Sequence, residues 1–194
     1  MTQFVSEMLE RVAPKACVEV FGSYGVTLTP IPQSAPRGMS IPPLHTAPAK
    51  AAAAVAGFIG FSGPKMRGSL LIASTFDVVA RARPAVLKVR PLSSGSSSDW
   101  ILVRDWAAGL VNQVLGRVKN RLHSVNVTLD VSTPAALSGK ALAFAKPKSP
   151  LTKPILFDAH PDQIWFWFDA LWNEDLTPVP GQADGAKEGD VILF

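Results

Sequence analysis

With a single cysteine, Cys17, the 194-residue chain can form no internal disulfide and no cysteine-built metal site. Its three histidines, His45, His123 and His160, stand far apart, and no HxxxH or HExxH spacing supports a metal centre. Long apolar runs are missing as well. The most hydrophobic stretches are broken by Gly, Pro or charge before the ~18 residues that a membrane helix needs. The opening residues MTQFVSEMLERV are amphipathic and acidic, unlike a secretory signal. A cytoplasmic protein without membrane insertion is expected. Charge is sparse: 18% of residues are charged, the net charge is +4, and no basic run exceeds two residues. That mild balance suits an acidic protein partner and does not require nucleic acid. Two enzymatic loops are also absent. Gly63 to Gly68 has the spacing of a phosphate loop, but Ser69 stands where the lysine belongs. Ser62, in GFSGP, lacks the second glycine of a nucleophile elbow and reads as a turn serine.

What is present is enough apolar material, 47%, for one real core. The expected organisation is a single domain over residues 1–180, a proline-rich excursion at about 27–52, and a tail at 181–194. Phe4, Val5, Met8, Leu9 and Val12 recur at helical spacing, predicting a helix over 3–13 that Pro14 ends. ACVEVFGSYGV reads as a short strand. VAGFIGFSGPKMRGSLLIAS reads as a hairpin turning at Gly63-Pro64, and TFDVVARARP as a short helix capped by Thr75. Ser98 or Asp99 is the expected cap of a long helix running to about Leu122. VNVTLDVS, a turn at Pro134 and a strand near ALAFAK follow. Asp158-Ala-His160-Pro-Asp162 reads as a turn, and QIWFWFDALW as a strand buried on both faces or covered by a partner. The resulting class is α+β, with a helix followed by three strands appearing twice.

The long helix carries an unusual outer stripe. Asp105, Asn112 and Lys119 are two turns apart, each about 20° from the next in projection, with Gly109 and Gly116 between them along the chain. Val103, Trp106, Leu110, Val114 and Val118 lie opposite, as the core face. Each glycine inside a helix costs roughly 1 kcal/mol relative to alanine. Either another element of the molecule crosses closely over Gly116, or a partner brings its own surface up to Asn112. An asparagine amide both donates and accepts hydrogen bonds, so it can orient a water. Arg104, Arg117, Lys119 and Arg121 flank the stripe. They read as a solvated face that would also complement an acidic pocket.

Asp105-x-x-x-Gly109-x-x-Asn112, followed by Gly116 and Lys119-Asn120, resembles the signature helix of the CheC/CheX chemotaxis phosphatases. That signature is Asp or Ser, then Glu four residues later, then Asn three after that. GFIGFSGPKMRGSLLIASTFDVVARA resembles the family's hairpin and short helix, and VNVTLDVSTPAALSG its strand, proline turn and glycine. The chain is closer to CheX, because Glu7-Met8-Leu9-Glu10 in the first helix has no matching asparagine. The resemblance implies two helix-plus-three-strand halves, with long helices packed on a mainly antiparallel sheet. It also implies a homodimer joined through its sheets and a phosphorylated CheY-like receiver as partner. Asn112 would enter the receiver's active site and position the attacking water, with Asp105 as helper and Gly109, Gly116, Lys119 and Arg104 at the docking surface. The Mg²⁺ and the acyl phosphate belong to the receiver, so no cofactor of the chain's own is expected. Gly109 occupies the position of the family's glutamate, and none of the five glutamates (Glu7, Glu10, Glu19, Glu174, Glu188) lies on this helix. A phosphatase working through Asn112 alone, a degenerate module that binds without hydrolysing, and a fold whose glycines serve internal packing are the three readings.

Overall fold

The computed structural model describes residues 2–31, 54–85, 90–139 and 155–172. The tail, the excursion beyond Ile31 and the strand expected near ALAFAK lie outside the described residues. The first helix, α1, covers Thr2–Ser23 and runs straight through Pro14. The expected stop at Pro14 and the strand expected after it are therefore corrected. Ala13, Ala16, Cys17, Val20 and Phe21 recur at helical spacing and are each at most 1% exposed, so burying that stripe outweighs the interior proline. The helix closes at Gly25, whose φ of +79° suits glycine, while the Val26 N–H returns to the Phe21 carbonyl at 3.0 Å.

The strands are β1 (Thr29–Ile31), β2 (Ala54–Ser62), β3 (Met66–Thr75), β4 (Asp130–Val131), β5 (Ala135–Gly139), β6 (Ile155–Ala159) and β7 (Asp162–Trp172). They form one sheet in the order β1-β6-β7-β3-β2-β4, with β5 also paired to β2, and each pairing is antiparallel. β1 falls inside the stretch expected to be an irregular excursion; Pro30 is tolerated in its short ladder because β1 lies at the edge of the sheet. Two helices follow β3: α2 (Phe76–Arg81) and α3 (Ser97–His123). α1 thus precedes three strands, and α2 with α3 precedes four. The Gly63-Pro64 hairpin, the Thr75 cap and the Asp158–Asp162 turn appear as expected.

Alternation decides which side of each strand is covered. Val55, Ile59, Leu70, Ile72, Ile164, Phe166 and Phe168 pack under the helices in the main core. The opposite face carries a second, smaller cluster of Ala56, Ala73 and Trp165, bordered by Leu71 and Leu156. β7 is therefore buried on both faces, as its aromatic sequence implied: Phe166 is 1% exposed and Trp165 8%. On this outer face the Trp167 indole N–H and one Asp169 carboxylate oxygen are buried without a partner among the described residues, and burial pushes the Asp169 carboxyl up.

Gly57 explains how α3 can lie so close on the sheet. A methyl group there would sit 2.8 Å from the Ala107 carbonyl carbon and 2.8 Å from Val111 Cγ1. No alanine fits without moving helix backbone.

The N-terminus of α3 is fixed by a local polar knot. Ser96, rather than Ser98 or Asp99, is the cap, and its hydroxyl accepts from the Asp99 N–H. Asp99 is spared from capping because its carboxylate is held elsewhere. It accepts 2.9 Å bonds from the Ser93 N–H and from Arg90 Nη1, and it also pairs with Arg90 Nη2. Its side chain is only 1% exposed, yet the cover is shallow, because the Arg90 guanidinium over it is 58% exposed. The Arg90 hydrogen bond leads the effects that hold the Asp99 carboxyl low, at about 2. A carboxyl depressed in the fold adds stability that is complete above its unfolded value of 3.8 and is lost as pH falls toward 2. Acid titration of the unfolding midpoint is expected to show a loss in that window that is smaller in Asp99→Asn. An identical pH profile in the variant would refute this role.

Candidate functional site

α3 divides cleanly into a buried and an open side. Val103, Leu110, Val114 and Val118 are each no more than 1% exposed, joined by Ala107, Val111, Leu115 and Leu122. Trp106, read as core, is half-buried: its indole N–H donates to the Ala82 carbonyl at 2.6 Å and its ring meets Tyr24 edge-on at 5.3 Å. The Tyr24 hydroxyl then donates to Gln113 Oε1 at 2.7 Å. The flank of α3 next to the stripe is thereby tied to the end of α1, a connection across 89 residues that no local sequence signal announces.

The stripe itself is as open as its sequence implied. Asp105 and Asn112 are exposed, and Gly109, Gly116 and Lys119 are half-exposed. Apart from its chain neighbours and the adjoining helix backbone, no described heavy atom lies within 4 Å of where a Gly116 Cβ would stand, so no other described element crosses over it. At Gly109 a Cβ would touch only the Trp106 ring, at 3.4 and 3.5 Å, close to ordinary contact. Among the described residues nothing packs tightly on these two glycines, in contrast with Gly57. Asn112 makes no side-chain hydrogen bond among the described residues. Its amide stands free on a helix whose neighbouring backbone is bare.

Charge around the stripe is thinner than the sequence implied. Arg117 and Arg121 do not join it: both reach across to Glu19 on α1, and Arg121 also donates to the Val12 carbonyl. Burial raises the Glu19 carboxyl, but the Arg121 hydrogen bond and the charges of Arg121, Arg117 and Lys15 outweigh it and hold the group below its usual range. Arg104 lies 3.8 Å from Asp105, a loose pair with the two side chains 44% and 68% exposed, so it contributes little to stability and is free to change partner. Lys119 remains on the line of Asn112. No group of three or more metal-ligating side chains occurs among the described residues. Two residues that sequence reasoning passed over, Ile101 and Leu102, project from the first turns of α3 at 51% and 50% exposure.

No helix of the described residues is long and apolar enough to cross a membrane. No family model and no curated protein matches the chain. Solved structures do. The chemotaxis protein CheX from Vibrio vulnificus superposes with a TM-score of 0.63 at 20% identity, over 82% of this chain and 94% of that one. A CheC-like superfamily protein from Shewanella sp. PV-4 gives 0.62 at 22% identity, over 81% and 94%. A chemotaxis protein CheX from Desulfovibrio desulfuricans gives 0.58 at 16% identity, over 84% and 99%. With an antiparallel sheet, helices on one face and near-complete coverage of these relatives, the chain has the fold of the CheX and CheC-like proteins.

Proposed function

We propose that this domain works in chemotaxis-type signalling, docking the open ridge of α3 onto a phosphorylated CheY-like receiver and presenting Asn112 to its aspartyl phosphate. The observation that carries this reading is an exposed Asn112, without a side-chain hydrogen bond among the described residues, beside glycines on which no described backbone packs. A helix lacking side chains on either side of one amide can approach a recessed phosphate closely. There the amide can accept from a water and donate to a phosphoryl oxygen, which is catalysis by positioning. The receiver supplies Mg²⁺ and the acyl phosphate, so the domain needs no cofactor of its own. Asp105 assists from two turns away, while Lys119 and Arg104 meet the acidic rim of the pocket. The same reading places the protein in the cytoplasm as a homodimer joined through its sheets.

A second reading is favoured by one residue. Gly109, standing where the resemblance implies a glutamate, offers no carboxylate to a receiver lysine. In that case the domain binds without hydrolysing. Phosphate release from a phosphorylated CheY-like receiver separates the two, measured with wild type, Asn112→Ala and Gly109→Glu. Acceleration by wild type that falls about a hundredfold in Asn112→Ala, as loss of a positioning group does, establishes the enzyme. Acceleration appearing only in Gly109→Glu establishes a binding module that lost its glutamate; a Cβ at this position makes only ordinary contact with the Trp106 ring. Neither acceleration nor binding by any of the three refutes the receiver-directed reading.

A further inference from the structure

We propose that Ile101 and Leu102 are the apolar anchor of the docking ridge, extending it one turn beyond the Asp105–Lys119 stripe. This rests on the receiver-directed reading and adds to it the surface that supplies most of the affinity. In projection Ile101 lies on the same line as Asp105, Asn112 and Lys119, and Leu102 lies on the side of Gly109. The ridge from Ile101 to Lys119 is therefore continuous and about 27 Å long.

Among the described residues these two side chains belong to neither core cluster. The start of α3 is held by others: Ser96 caps it and Asp99 binds Ser93 and Arg90. Trp100 donates to the Ser94 carbonyl at 2.7 Å, with its ring centroid 4.7 Å from that of Phe76, and Val103 fills the core. Ile101 and Leu102 nonetheless remain half exposed. A single exposed leucine is unremarkable, but two adjacent large aliphatics at the head of a bare polar stripe make an anchor beside a reaction site.

The occupant follows from the composition of the ridge. Two aliphatic side chains are too few to hold a membrane surface, and the ridge carries too little positive charge for nucleic acid. A small free anion gains nothing from the apolar end. A protein whose acidic, cation-holding phosphate pocket is bordered by an apolar shelf matches both halves. Lys119 and Arg104 complement the acid in it, and Ile101 and Leu102 cover the shelf.

Calorimetric titration of a CheY-like receiver, activated with Mg²⁺ and beryllofluoride, tests this with Ile101→Ala, Leu102→Ala and the double variant. Alanine preserves the helix, and both positions are exposed, so unchanged thermal midpoints confirm folding. Leu171→Ala, on the outer face of the sheet and 42% exposed, controls for general stickiness. Each α3 substitution is expected to weaken binding about tenfold and the double variant more, while Leu171→Ala leaves it unchanged. Full affinity in the double variant, with wild type binding, overturns the anchor and leaves the receiver-directed reading standing. Absence of wild-type binding overturns both.

Discussion

Gly57→Ala is expected to destabilise the domain by about 3 kcal/mol, whereas Gly116→Ala is expected to stabilise it by about 1 kcal/mol. Both replace a glycine by the same methyl group, and the opposite signs follow from where that methyl lands. At Gly57 it presses on the Ala107 carbonyl, which is helix backbone, and on Val111 Cγ1. The Ala107 carbonyl cannot rotate away. Relief requires lifting α3 off β2 and opening the core around Val111, Val114 and Ile59, all fully buried. At Gly116 the methyl meets nothing within 4 Å and removes the entropic penalty of a helical glycine. Urea unfolding of the two variants beside wild type checks the pair. A stability loss at Gly116 comparable to that at Gly57 would mean that the outer glycine serves packing after all, and the functional reading of the stripe would lose its foundation. The expected result instead marks Gly116 as a position where stability is held below its attainable value, as sites of function often are.

How far the sequence revealed the fold depends on the range over which each interaction acts. The hairpin, α2 and the open stripe of α3 were legible because their signals are local: a Gly63-Pro64 turn, a Thr75 cap, and a long 3.6-residue period. α1 was truncated at Pro14 because a proline is a strong local stop, while the apolar stripe that overrides it becomes decisive only when α3 and β7 are packed against it. The cap of α3 was misplaced within a serine-rich run whose members look alike. Ser96 is selected because Asp99 is already occupied by Arg90 and Ser93. Arg117 and Arg121 were read as a solvated face flanking the stripe, although helical projection sets them about 140° and about 180° from Asn112, on the side where Glu19 of α1 holds them. Ile101 and Leu102 were passed over for a related reason. They stand in an apolar run from Trp100 to Val103 that reads as core, although projection sets Ile101 on the line of Asn112.

Gly116→Arg isolates the docking ridge from the fold. The added side chain has open space to enter and removes a helical glycine, so the variant is expected to fold at least as stably as wild type. It nevertheless places a long cation where a partner must bring its surface against the helix, one turn from Asn112. Steric exclusion at the centre of an interface removes the contacts on both sides of it, so affinity is expected to fall on the order of a hundredfold or more. A compensating attraction from an acidic pocket would act on the encounter rate more than on the fitted complex. The most direct measurement is therefore fluorescence anisotropy of a labelled CheY-like receiver, held in its beryllofluoride-activated state, titrated with wild type and with Gly116→Arg of verified stability. Binding by wild type that is lost in the variant is the expected result. Equal binding by both proteins would contradict the assignment of this face of α3 as the docking site.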